Sequence, residues 1–160
     1  MNDLSQRTQS RREKNYWMGF KKGCDNSRMI SDIISNYFKD QKEIISVYLF
    51  GSYSENKERP FSDIDIGIIA GFNDIDTVRG KMDGFLLELS RILRKDVHLV
   101  LLNSAGETLL NQVFRKGRCI LINNQKELSI YKMNMFSKIT NFNYYKHMMQ
   151  NGLIKQFTEG

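Results

Sequence analysis

A chain of 160 residues with 41% hydrophobic and 26% charged content carries enough apolar side chains for one real core, which excludes a disordered polypeptide. Two cysteines, Cys24 and Cys119, with two histidines are too few for a disulfide framework or a Cys/His zinc site, so reduced thiols in a cytoplasmic protein are expected. No apolar run approaches the roughly 20 residues of a membrane span, no hydrophobic signal core opens the chain, and a formal charge of +6 suits nucleic acid, acidic protein or polyphosphate as partner.

Much of the positive excess sits in a polar leader carrying Arg7, Arg11, Arg12, Lys14, Lys21 and Lys22 around one apolar island, Tyr16, Trp17, Met18 and Phe20. Residues 1–27 therefore read as a basic extension and residues 28–160 as a single domain. From Asn26, Met29, Ile30, Ile33, Ile34, Tyr37 and Phe38 recur at helical spacing behind an Asn/Ser cap, which predicts the first core helix. The β-branched and aromatic run Ile44 to Phe50 predicts a strand that stops at Gly51-Ser52. A polar connection follows, with Lys57, Arg59 and the only proline, Pro60; its basic side chains either meet phosphate or solubilise the loop. The second strand spans 63–69. Val78, Met82, Phe85, Leu86, Leu89 and Ile92 then mark an amphipathic helix softly broken by Gly80 and Gly84, and a third strand covers 96–102. A helix over 107–115, stopped by Gly117, and a short strand over 118–122 come next. A last helix, 126–153, places Leu128, Tyr131, Met135, Ile139, Phe142, Tyr145 and Met149 near one stripe suited to packing or to a protein partner. Helices between strands predict an α/β (α+β) fold with a small mixed β-sheet flanked by helices.

The chemistry concentrates at the second strand. Side chains alternate along a strand, so Asp63 and Asp65 share one face, their Cα atoms roughly 6–7 Å apart, while Ile64, Ile66 and Ile68 enter the core. Like charges this close call for a cation between them, and oxygen ligands suit a hard ion such as Mg²⁺. Gly51 lets backbone N–H groups approach a ligand and Ser52 adds a hydroxyl, a combination suited to phosphate. Taken singly each residue also has a structural role, the acids as solvated strand openers and the glycine as a turn.

Gly51-Ser52, the ten residues Tyr53 to Ser62, and Asp63-Ile64-Asp65 resemble the GSx10DxD signature of the DNA polymerase β nucleotidyltransferase superfamily. Over about Ser31 to Gly117 the pattern looks like the minimal nucleotidyltransferases, the MNT antitoxins encoded beside HEPN-domain toxins. The resemblance implies a polymerase-β-type fold with a helical C-terminal segment, and Mg²⁺-dependent transfer of AMP from ATP to a tyrosine hydroxyl of a cognate HEPN toxin, with pyrophosphate released. It assigns Asp63 and Asp65 to a two-ion metal site, Gly51, Ser52 and Ser62 to the nucleotide, and a third carboxylate on the neighbouring strand to metal and proton. Asp96 is the acid available there, but the usual position falls on His98, two residues later on the same face; either Asp96 takes the role or His98 replaces it. Two other functions stay open: an antitoxin that neutralises its partner by covering it, and a nucleotidyltransferase acting on a small molecule or RNA, which the lack of a sizeable second domain disfavours. Neither a membrane nor direct nucleic-acid binding is expected. The leader departs from the minimal pattern, which usually begins nearer Ser31.

Overall fold

The computed structural model describes residues 24–55, 59 and 62–158. The basic leader with its apolar island, Lys57 and Pro60 lie outside them, as do the side chains of Tyr145 and Met149. In chain order the elements are α1 (Cys24–Phe38), β1 (Ile44–Phe50), a 3-10 turn at Gly51–Tyr53, β2 (Ile64–Ala70), α2 (Ile75–Leu93) and β3 (Val97–Leu101). A second 3-10 turn at Leu102–Ser104, α3 (Glu107–Lys116), β4 (Arg118–Ile122) and α4 (Gln125–Thr158) complete them.

The strands form one four-stranded sheet in the order β3-β2-β1-β4. β1 runs antiparallel to β2 and β4, whereas β2 and β3 are parallel. That parallel pair follows from α2, since a crossover helix returns the chain to the end of the sheet from which β2 started. β1 is buried over its whole length because both sheet faces are covered, which explains its unbroken apolar sequence. On one face Val47, Leu49, Ile64, Ile66 and Ile68 pack with Ile30, Ile34 and Phe38 of α1 and Val78, Phe85 and Leu89 of α2. On the other, Tyr48, Phe50 and Ile69 meet Leu110 and Val113 of α3 and Leu128, Tyr131 and Met135 of α4. The expected mixed sheet flanked by helices is therefore what the chain builds.

Boundaries shift where side chains take over from periodicity. β3 stops at Leu101, one residue short of the expected end, because Leu102 turns onto Gly67 and Asn103 takes the place of a strand neighbour. The Asn103 Oδ1 accepts the Ala70 N–H at 2.8 Å, and its Nδ2 donates to the Ala70 carbonyl at 3.1 Å. α4 is capped by Asn124, whose Oδ1 accepts the Glu127 N–H at 3.1 Å while its amide donates to the Glu127 carboxylate at 2.7 Å. Ile92, expected inward, is 51% exposed; Leu93 is buried instead, next to the left-handed Arg94 that closes α2. Among the described residues no helix is long and apolar enough to cross a membrane.

α2 is continuous for 19 residues through Gly80 and Gly84, not broken there. A Cβ at either glycine would meet nothing within 4 Å. Gly80→Ala and Gly84→Ala should each raise stability by about 0.5–1 kcal/mol, because alanine removes the backbone entropy that glycine loses in a helix. Thermal melting checks this, and a lower midpoint for either variant would show that the helix needs the gap.

Candidate active site

The site lies where β1 ends and β2 and β3 begin. Phe50, last in β1, pairs with Asp65, and Asp65 in turn pairs with His98 of β3. Three strands thus bring their ends to one carboxylate. Gly51 follows at φ +67°, and a Cβ there would lie 2.1 Å from the Asp65 Oδ2. Glycine is required twice, for the left-handed backbone and for the space that the Asp65 carboxylate fills. Beyond it, Ser54 donates from its N–H and hydroxyl to the Gly51 carbonyl at 3.3 and 2.9 Å, which folds Gly51–Tyr53 into a compact turn. Gly51→Ala should destabilise the fold by at least roughly 1–2 kcal/mol from the backbone alone, and displace Asp65 besides. A melting midpoint equal to that of the wild type would contradict this geometry.

Asp65 is half-buried and Asp63, at the mouth of the strand, is exposed. Burial pushes the Asp65 carboxyl above its ordinary value; the hydrogen bond and charge of His98 oppose that, and the negative charge of Asp63 adds to it. The two acids therefore sense each other, as their spacing predicts. His98 places Nδ1 3.4 Å from the Asp65 Oδ1. Asp96, exposed, stands just before β3, where its carbonyl accepts the Ile64 N–H at 2.9 Å. Because Ile64 pairs with Val97, the preceding residues Asp63 and Asp96 stand at the same level of the sheet. Ser52 is half-exposed in the turn, while the Ser62 hydroxyl accepts the Arg59 N–H at 2.8 Å on the return leg of the loop.

These residues suit a hard cation only in part. Among the described residues no three His, Cys, Asp or Glu side chains form a metal cluster. Two adjacent carboxylates are nevertheless what Mg²⁺ commonly takes from a protein when phosphates and water supply its other ligands. A cation here would also relieve the repulsion that Asp65 experiences in its half-buried position.

Sequence reasoning missed the residues that hold the turn in place. Ser27, buried on α1, donates to the Tyr53 carbonyl at 2.9 Å. Arg118, which opens β4, donates from Nη2 to the Ser27 and Ser31 hydroxyls at 2.8 Å each. Tyr53 itself is fully buried, with the Lys95 ammonium 5.8 Å from its ring centroid. The available signal was a pair of serines four apart beside Ile30 and Ile34, polar groups on a helix face that should be apolar.

Comparison with known proteins bears on family and fold. The family model described as polymerase beta, nucleotidyltransferase, matches residues 32–126. The chain is 38% identical over 72 residues to the protein adenylyltransferase MntA of Shewanella oneidensis, a stretch that is 45% of this chain and 50% of that protein. It thus spans about half the length of that curated relative. A solved toxin–antitoxin structure with AMP-PNP is similar at a TM-score of 0.62 and 24% identity, over 78% of this chain and 98% of the other. Another, the tri-AMPylated Shewanella oneidensis HEPN toxin in complex with MNT antitoxin, gives a TM-score of 0.59 and 23% identity over 80% and 98%. At these identities the two solved structures establish a shared fold.

Proposed function

The chain belongs to the polymerase beta nucleotidyltransferase family, and on that premise we propose that it transfers AMP from ATP to a tyrosine hydroxyl of a HEPN-type toxin, releasing pyrophosphate. The observation that carries the proposal is the Asp65 carboxylate, flanked by the charge of Asp63 and seated against the backbone of Gly51 at the turn that opens into Gly51-Ser52. A triphosphate laid along that turn meets backbone N–H groups, the Ser52 hydroxyl and, from the loop's return leg, Ser62. In the transfer the tyrosine oxygen bonds to the α-phosphorus and the bond from that phosphorus to the β-bridging oxygen breaks. Pyrophosphate leaves, and the hydroxyl proton passes to Asp96 acting as general base. Asp63 and Asp65, with Asp96 drawn in as a third ligand, would hold Mg²⁺, which would neutralise charge on the phosphate oxygens. His98, bonded to Asp65, fixes the direction in which that carboxylate points.

The adenylyltransferase relative and the AMPylated complex support this choice of nucleotide and acceptor. We also take the chain from α1 onward to be the catalytic domain, a boundary a few residues earlier than residue 28 because buried Ser27 holds the Gly51–Tyr53 turn, with the basic leader before it an extension and the reaction cytoplasmic, in keeping with a free Cys119. Incubating the purified chain and toxin with α-labelled ATP and Mg²⁺ tests the proposal. The toxin should gain label. A toxin that co-purifies with the chain yet stays unlabelled at saturating ATP would favour neutralisation by binding alone.

A further inference from the structure

A groove between α3 and α4 lies outside the chemistry described so far. Asn111, Phe114 and Arg115 form one wall at helical spacing and Lys132, Phe136 and Ile139 the other, enclosing a cavity of about 280 Å³. Tyr48 is its floor. That residue is 3% exposed, and its hydroxyl meets no oxygen or nitrogen partner among the described residues, only the thiol of Cys119 beside it. Its ring is stacked edge-on against Phe114, centroids 5.7 Å apart, and the Lys132 ammonium sits 5.7 Å from its centroid. Both charged residues of the groove are cations, no acid lines it, and neither cation has a carboxylate partner among the described residues. Phe136, 73% exposed, stands at the outer rim of the groove, and Met133, 74% exposed, lies on the side of α4 opposite Leu128. Among the described residues neither of these two apolar side chains belongs to a buried cluster.

From this we infer that the α3–α4 groove is the docking site of the acceptor protein, taking an acidic segment whose apolar side chain fills the cavity over Tyr48. Its carboxylates meet Arg115 and Lys132. A buried donor at the floor, aromatic walls and two cations at the rim match that occupant. A second copy of this chain fits poorly, because a two-fold contact would set Arg115 and Lys132 against their own duplicates. The groove also leads toward the site: Lys116, next after Arg115, pairs at 3.4 Å with Glu55, which follows the Gly51–Tyr53 turn. A segment seated here holds its parent protein beside the nucleotide. The inference rests on the adenylyl-transfer reading above.

The test is steady-state labelling of the HEPN-type toxin by Arg115→Glu/Lys132→Glu and, separately, by Phe136→Ser; these side chains are exposed, and melting curves check that folding is unchanged. Each variant should raise KM for the toxin at least tenfold and leave KM for ATP within twofold. A toxin KM within twofold of wild type, while wild type labels normally, overturns the docking site and leaves the transfer reading standing. Equal changes in both KM values overturn it too, since they would report a distorted catalytic site. Loss of self-association by Phe136→Ser with an unchanged toxin KM would reassign the groove to a second copy. If wild type neither binds nor labels the toxin, both readings fall together.

Discussion

Asp65→Asn should abolish transfer to within detection, a loss of about 10³-fold or more if the metal contributes several kcal/mol at the phosphate oxygens, while leaving the protein as stable as wild type or slightly more so. The two outcomes come from one fact. Asp65 is half-buried and beside Asp63, so burial and like charge both disfavour its ionised form, and the amide removes that cost in the folded state. A residue kept in an unfavourable electrostatic position and needed for activity is there for chemistry. Asp63→Asn should follow the same course, with a smaller effect on stability because that side chain is exposed. The measurement pairs toxin labelling with a melting midpoint. Substantial labelling by either variant at saturating ATP and Mg²⁺ would refute the metal assignment, and a sharply lowered midpoint for Asp65→Asn would recast that residue as structural.

Asp96→Asn should slow transfer by something like 10² to 10⁴, the range for removal of a general base. His98→Ala has a different expected result. Its ring touches Asp65 and not the acceptor in the proposed arrangement, so its loss should cost about 10- to 100-fold, the usual consequence of removing a group that orients a metal ligand. Part of that loss should return when Mg²⁺ is raised, because a misdirected Asp65 binds more weakly without ceasing to bind. Asp96→Asn should not recover in this way. Should the sizes reverse, with His98→Ala the more damaging and Asp96→Asn close to wild type, then His98 occupies the place of the third acid and the proton goes to its imidazole.

Much of this molecule was legible from local pattern. β1 and β4 fall where their apolar runs begin and end, and Asp63, just ahead of β2, is close enough for its charge to act on Asp65, as the spacing of the two acids predicts. The glycine after β1 marked a turn, and φ +67° is the left-handed backbone that the turn takes there. These features depend on neighbours within a few residues, so the sequence states them directly. Tertiary pairing decided the rest. That His98 meets Asp65 follows from the parallel register of β2 and β3, 33 residues apart in the chain, and a slip of two would have put another residue there. The Ser27–Arg118 bond spans 91 residues and the α3–α4 groove exists only because β4 returns the chain between its walls. Hydrophobic periodicity gives the buried face of each helix but not its neighbour, since apolar contact is non-directional and many partners would satisfy it equally. Only the assembled sheet fixes which side chains stand together around the Asp65 carboxylate.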